Sequence, residues 1–265
     1  MKGRRYAAMT LTLLALAARP DASVPADPLE SPMWEAHAKL LFGDDPVRFD
    51  PRVKVGFPEI AENQRSFPVA IDARAIAGVR RIVLMADLNP IPIAIDYRPT
   101  DSDAYLATRI KLDQRTPVRG AVQLASGEWL VSGGWIDAAG GGCSTPPVSR
   151  VKGDWAEHLG EIRGEAWPVA GPTPASRLRI SFRHPMDTGL VDAIPTYHLE
   201  QLTVRDGAGH ELGRMEIWAS VAEDPAITLV PHAAAGDMLT VDARDTNGRD
   251  YHAALSVARQ SPPPR

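Results

Sequence analysis

The chain of 265 residues contains one cysteine, Cys143, so no intramolecular disulfide can form and the fold must be held by core packing. Neither sign of charge dominates. The 29 basic and 33 acidic residues are mixed along the chain, and no basic patch or stripe marks a nucleic-acid partner. Beyond the N-terminus no segment has about 18 uninterrupted apolar residues, so the mature chain is expected to have no membrane span. Aromatic residues are scarce, and Trp34, Trp129, Trp135, Trp155, Trp167 and Trp218 are spread too widely to form a stacking platform. The HExxH, GxSxG, P-loop and GxGxxG patterns are absent, and no carboxylates cluster as an acid/base pair. These absences point away from catalysis by this chain, and no cofactor is implied.

Punctuation is plentiful. Its 21 glycines and 24 prolines favour short strands joined by turns. The N-terminus opens Met1-Lys2-Gly3-Arg4-Arg5 and continues apolar from Ala7 to Ala18, which reads as a signal peptide over 1–26 and predicts export to the periplasm. A short helix is expected next, with Ser31 as N-cap, Pro32 in the first turn and Met33, Trp34, His37, Leu40 and Leu41 on one face. From Phe67 to Asp72 apolar residues alternate with others at the strand period, and similar runs follow to Val131, with Ser126-Gly127 as a hairpin turn. Residues 144–176 read as a linker rich in glycine and proline, holding one helix capped by Asp154 with Trp155, Leu159 and Ile162 on its face. Strands resume over 177–258, with turn signals at Asp206-Gly207 and Asn247-Gly248, and the tail 259–265 is expected to be disordered. The fold class is therefore all-β. Turn signals about every 8–12 residues suit two immunoglobulin-like β-sandwich domains, 27–143 and 177–258, with short helices at the N-terminus and in the linker.

Cys143 carries the specific chemical case. An unpaired thiol in an exported chain points to an intermolecular bond or a reactive group. It follows Gly140, Gly141 and Gly142, whose lack of side-chain bulk is expected to let the thiol reach outward as an arm or enter a narrow opening. No charged residue lies between Asp137 and Arg150, so the local devices that make a thiolate are missing. Such a cysteine suits passive attachment of a group handled by partner enzymes better than nucleophilic catalysis. A copper site built from Cys143, His184 and Met186 is disfavoured, because no His or Met follows the cysteine at short ligand spacing. The segment His184-Pro185-Met186-Asp187-Thr188-Gly189 reads instead as a turn or docking surface.

Pro58-Glu59-Ile60-Ala61-Glu62-Asn63, Asn89-Pro90-Ile91-Pro92 and Thr108-Arg109-Ile110-Lys111-Leu112 occur in the order seen in SoxY, the sulfur-carrying subunit of bacterial thiosulfate oxidation, and Cys143 falls where SoxY places its carrier cysteine. The second half resembles SoxZ through the segment from His184 to Gly189, Asp224-Pro225 and Asp245-Thr246-Asn247-Gly248. The whole resembles fused SoxYZ-like proteins associated with quinoprotein dehydrogenases. The resemblance implies two immunoglobulin-like halves packed together, a sulfur adduct on Cys143, and periplasmic redox partners, either sulfur-oxidation enzymes or a quinoprotein dehydrogenase with its cytochrome c. SoxY ends in a free glycine-flanked arm, whereas here Ser144, Thr145, Pro146 and Pro147 follow and the chain runs on. A second reading is a non-covalent assembly module for such a dehydrogenase or cytochrome.

Overall fold

The structure is a computed structural model that describes residues 24–259; most of the expected signal peptide and most of the expected tail lie outside the described residues. The first half contributes α1 (Trp34–Phe42) and strands β1 (Val47–Phe49), β2 (Lys54–Gly56), β3 (Phe67–Asp72), β4 (Val79–Ala86), β5 (Ile93–Pro99), β6 (Tyr105–Ile110), β7 (Thr116–Leu124) and β8 (Trp129–Ile136). The second contributes α2 (Val148–Lys152), β9 (Ile162–Val169), β10 (Ala175–Phe182), β11 (Leu199–Asp206), β12 (Glu211–Ile217), β13 (Ala226–Leu229), β14 (Met238–Asp245) and β15 (Asp250–Ser256). The all-β class expected from the sequence is what the chain adopts.

The strands form two sheets, ordered β1-β8-β7-β4-β5-β12-β11-β14-β15 and β2-β3-β6-β13-β10-β9. Both sheets run through both halves. In the larger one β5 pairs antiparallel with β12, from Ile95↔Ile217 to Pro99↔Gly213. In the smaller one β6 meets β13 at Ala107↔Thr228, and the Thr108 hydroxyl donates to the Ala226 carbonyl at 3.1 Å. Edge strands that would otherwise expose unpaired N–H and C=O groups are thus satisfied by the other half. Beneath the seam lies one hydrophobic core, to which Ile82, Leu106 and Ile110 contribute from the first half and Leu178, Ile180 and Leu202 from the second. Separating the halves would open two ladders and divide that core.

Local sequence explains most elements. In β3 the alternation places Phe67, Val69 and Ile71 inside. Gly127 and Gly248 take positive φ (90° and 81°) at the β7–β8 and β14–β15 turns. In α1, Trp34, Ala38 and Phe42 recur every four residues and are buried against the first half, with the Trp34 and Phe42 rings 5.9 Å apart.

Some local expectations are overturned. Met33, not Ser31, precedes α1 and gives no side-chain cap, and Leu40 faces solvent. The stretch read as a linker holds its helix earlier, at α2, while 155–160 is turns and Ile162 begins a strand. Gly160, at φ +86°, takes a conformation that an α-helix interior excludes. Packing decides the rest. β9 pairs along all of β10, from Ile162↔Phe182 to Val169↔Ala175, and as an edge strand it tolerates Pro168.

Candidate functional site

After β8 the chain runs along the backbone that leaves β6. Gly141 N–H donates to the Asp113 carbonyl at 3.2 Å and Gly142 N–H to the Leu112 carbonyl at 3.0 Å, while Leu112 N–H donates to Gln64 at 2.7 Å. A Cβ on Gly142 would sit 2.3 Å from the Gln64 oxygen and 2.5 Å from the Leu112 oxygen, so only glycine fits this approach. One oxygen of the Asp113 carboxylate then accepts from Cys143 N–H (3.0 Å), Ser144 N–H (3.2 Å) and the Ser144 hydroxyl (3.0 Å). From the second half, the Thr188 hydroxyl donates to the Cys143 carbonyl at 2.6 Å.

Cys143 is consequently only 1% exposed. This corrects the expectation of an outward-reaching thiol. The glycines remove side-chain bulk so that backbone can pack on backbone, and that close packing covers the cysteine. Burial pushes the thiol up to about 12, and the Lys111 ammonium offsets only part of that effect.

Lys111 is a site residue that local sequence reasoning missed. No charge flanks Cys143 in the chain, yet the fold brings this lysine from 32 positions upstream, as residue numbers 143 and 111 show, to within electrostatic range of the thiol, on the same cleft as Gly142. Its Nζ donates to the Ala219 carbonyl at 2.8 Å and to the Met186 carbonyl. Burial pulls the ammonium down to about 8.

The three sequence landmarks of the second half converge here. The loop from His184 to Thr188 follows β10 and is buried throughout. Met186 adopts φ +53°, unusual for a non-glycine residue, and its N–H donates to His184 Nδ1 at 3.1 Å. Asp224 accepts the His184 N–H at 3.1 Å. Asp245 accepts the hydroxyls of Tyr197 and Tyr251, at 2.8 and 2.5 Å, and stands 3.7 Å from His184 Nε2. This support fixes the loop that supplies the Met186 carbonyl to Lys111 and the Thr188 hydroxyl to Cys143. His184 Nδ1 and Met186 Sδ are engaged by the backbone N–H groups of Met186 and Leu199, which argues further against copper ligation.

Because Met186 donates to Nδ1, the neutral His184 ring carries its proton on Nε2. Burial lowers its pKa from 6.5 to about 4. Between those values the unfolded chain binds a proton that the folded chain does not, so stability present above pH 6.5 is lost as pH falls towards 4. The expected loss is on the order of 3 kcal/mol. Thermal melts across that range should show a falling Tm, and His184→Asn, which keeps an acceptor for Met186 N–H but does not titrate, should flatten the slope.

Comparison with known proteins places these residues in a family. The sulfur oxidation protein SoxY family matches residues 38–143, and the sulphur oxidation protein SoxZ family matches residues 173–256. The chain is a fused SoxYZ-like protein. No curated protein matches it. Among solved structures, the sulfur carrier protein SoxY from Chlorobium limicola f thiosulfatophilum is 19% identical, with 40% of this chain and 94% of that chain covered and a TM-score of 0.33. A marsupial T cell receptor is 8% identical over 79% of this chain and 95% of its own, with a TM-score of 0.25. In the fused SoxYZ-like chain the SoxY match ends on Cys143 itself, and the SoxZ match contains the whole His184–Thr188 loop on which that residue is seated.

Proposed function

We propose that this fused SoxYZ-like chain is a periplasmic carrier that holds a sulfur-containing group covalently on Cys143 and presents it to partner enzymes. The observation that carries this reading is the position of the chain's one thiol. It ends the SoxY match and is held at the seam by hydrogen bonds to Asp113 of the SoxY half and Thr188 of the SoxZ half, neither of which belongs to a strand. Joining Sγ to the sulfur of a second thiol forms one S–S bond and releases two protons and two electrons. Loading of that kind requires an electron acceptor, which a redox partner enzyme supplies. The chain contributes the attachment point, and partners contribute the catalysis.

Presentation requires the arm to leave its seat. On one side it is anchored by the Ile60↔Asp137 bridge, and on the other by α2, whose first N–H groups donate to Glu223, both at 2.7 Å. Cys143 lies five residues before Val148, so the released thiol travels at most about 17 Å from that anchor. Partners must therefore come to the seam between the halves. Replacing Cys143 by Ser in the host should abolish sulfur-dependent growth while leaving circular dichroism unchanged. Normal growth of that strain would contradict the carrier reading.

The burial of Cys143 and the double tether favour one second reading, a non-covalent assembly module for a quinoprotein dehydrogenase or its cytochrome. Pull-down from cross-linked periplasm separates the two. Binding that is unaffected by Cys143→Ala, together with normal growth of the Ser strain, selects assembly.

A further inference from the structure

Among the described residues, most buried carboxylates are paired with an arginine. Asp50 is paired with Arg48 and Arg52, Asp87 with Arg119, Asp96 with Arg81 and Asp187 with Arg150. Asp245 is held by two tyrosine hydroxyls. Lys111, 4% exposed, is the buried charged side chain among the described residues that has no carboxylate in contact. Two neutral carbonyls take two of its three N–H donors. Leaving an ammonium buried without a counterion is costly, and proteins normally neutralise or pair such a group.

Lys111 also lines a cleft of about 290 Å³ bounded by Gly142 and Thr145, the residues on either side of the Cys143–Ser144 step. Arg65 and Lys152 line the same cleft and make no ion pair among the described residues. The facing acids are largely engaged: Glu223 accepts the Val148 and Ser149 N–H groups, and Asp224 pairs with Arg183, leaving Asp154 as the unengaged carboxylate. Asp113 and Asp187 are the other acids near the pair.

We propose that the counterion missing from Lys111 is the cargo: Lys111 is the residue that holds a negatively charged group attached to Cys143, and it makes the seated arm favour anionic adducts over neutral ones. This rests on the carrier reading of Cys143. It adds a specificity residue, contributed by the SoxY half and braced by the SoxZ half through Met186 and Ala219. With a neutral thiol no anion sits in contact with Lys111, and the charges of Asp187 and Glu223 offset only part of the effect of burial on its ammonium.

The test uses the full chain with two defined adducts. Tetrathionate is attacked by the Cys143 thiolate at an inner sulfur, forming Cys143–S–SO₃⁻ and expelling thiosulfate. Methyl methanethiosulfonate gives the neutral Cys143–S–CH₃ and expels methanesulfinate. Dithiothreitol release of each adduct is followed by intact mass, in folded protein and in urea. The ratio of anionic to neutral release rates in urea is the intrinsic reference. In the folded protein that ratio should fall at least about tenfold, the worth of one pKa unit. Lys111→Met should restore it to the urea value, and Lys111→Arg should keep most of the effect. A purely structural role would change both adducts alike and leave the ratio fixed. A folded ratio equal to the urea ratio, measured on the unsubstituted chain, overturns the proposal whether or not Lys111→Met folds. Because the adducts are added chemically, that failure is distinct from failure of the carrier reading, which turns on the protein's state in its host.

Discussion

Iodoacetamide should alkylate Cys143 of the native protein about a thousandfold more slowly than in the urea-unfolded chain near pH 7.5. The thiolate is the nucleophile, and burial moves the thiol from 9.0 to about 12, three powers of ten in thiolate population. Every unit of pH between 8 and 11 should raise the native rate tenfold, whereas the unfolded rate levels off above 9. The Asp113 carboxylate is the latch, with three donors on one oxygen. Asp113→Ala removes charge-assisted bonds worth about 1.5–3 kcal/mol each before relaxation, so labelling should accelerate at least about tenfold. Equal native and unfolded rates would mean that the arm is not seated in solution.

The second large effect concerns the glycines. Gly142→Val should unseat the arm, because its Cβ would lie within 2.5 Å of two carbonyl oxygens that belong to the backbone and cannot step aside. Cys143 labelling should then approach the unfolded rate. The melting temperature should fall less than for a substitution inside a strand, since the arm joins neither sheet and meets the core only at the Leu112 backbone. Gly141→Ala is the control. Its Cβ would lie 3.3 Å from the Thr145 hydroxyl, which must give by a few tenths of an ångström, and the φ of +80° adds about 1 kcal/mol. Labelling of the Gly141 variant should stay close to wild type. Protection that survives Gly142→Val would place the thiol's cover elsewhere.

Much of the fold was legible along the chain. The alternation at Phe67–Asp72 and the Asn247-Gly248 turn are local signals, and local signals produced those elements. What stayed hidden is non-local. The pairing of β5 with β12 joins residues more than a hundred positions apart, and nothing within either strand encodes its partner. Ile162–Val169 was masked by a capping pattern at Asp154 that the β10 edge overrides.

The same division runs through the site. Cys143 stood out by counting and by its glycine setting, and the landmarks His184, Asp224 and Asp245 stood out by order. Their convergence beneath one loop is a product of the tertiary fold. Glycines before a cysteine read equally as reach or as close packing. Only the carbonyls of Gln64 and Leu112 decide for packing. Lys111 stood out only as one residue of the Thr108–Leu112 landmark, and nothing local marked its place beside the site, because its partners Met186 and Ala219 belong to the other half.

The intact mass of the protein purified from its own host under non-reducing conditions tests the carrier claim most directly. The account predicts a fraction heavier than the bare chain, an increment that maps to Cys143 and disappears with dithiothreitol. A bare thiol under every growth condition on reduced sulfur compounds would contradict it.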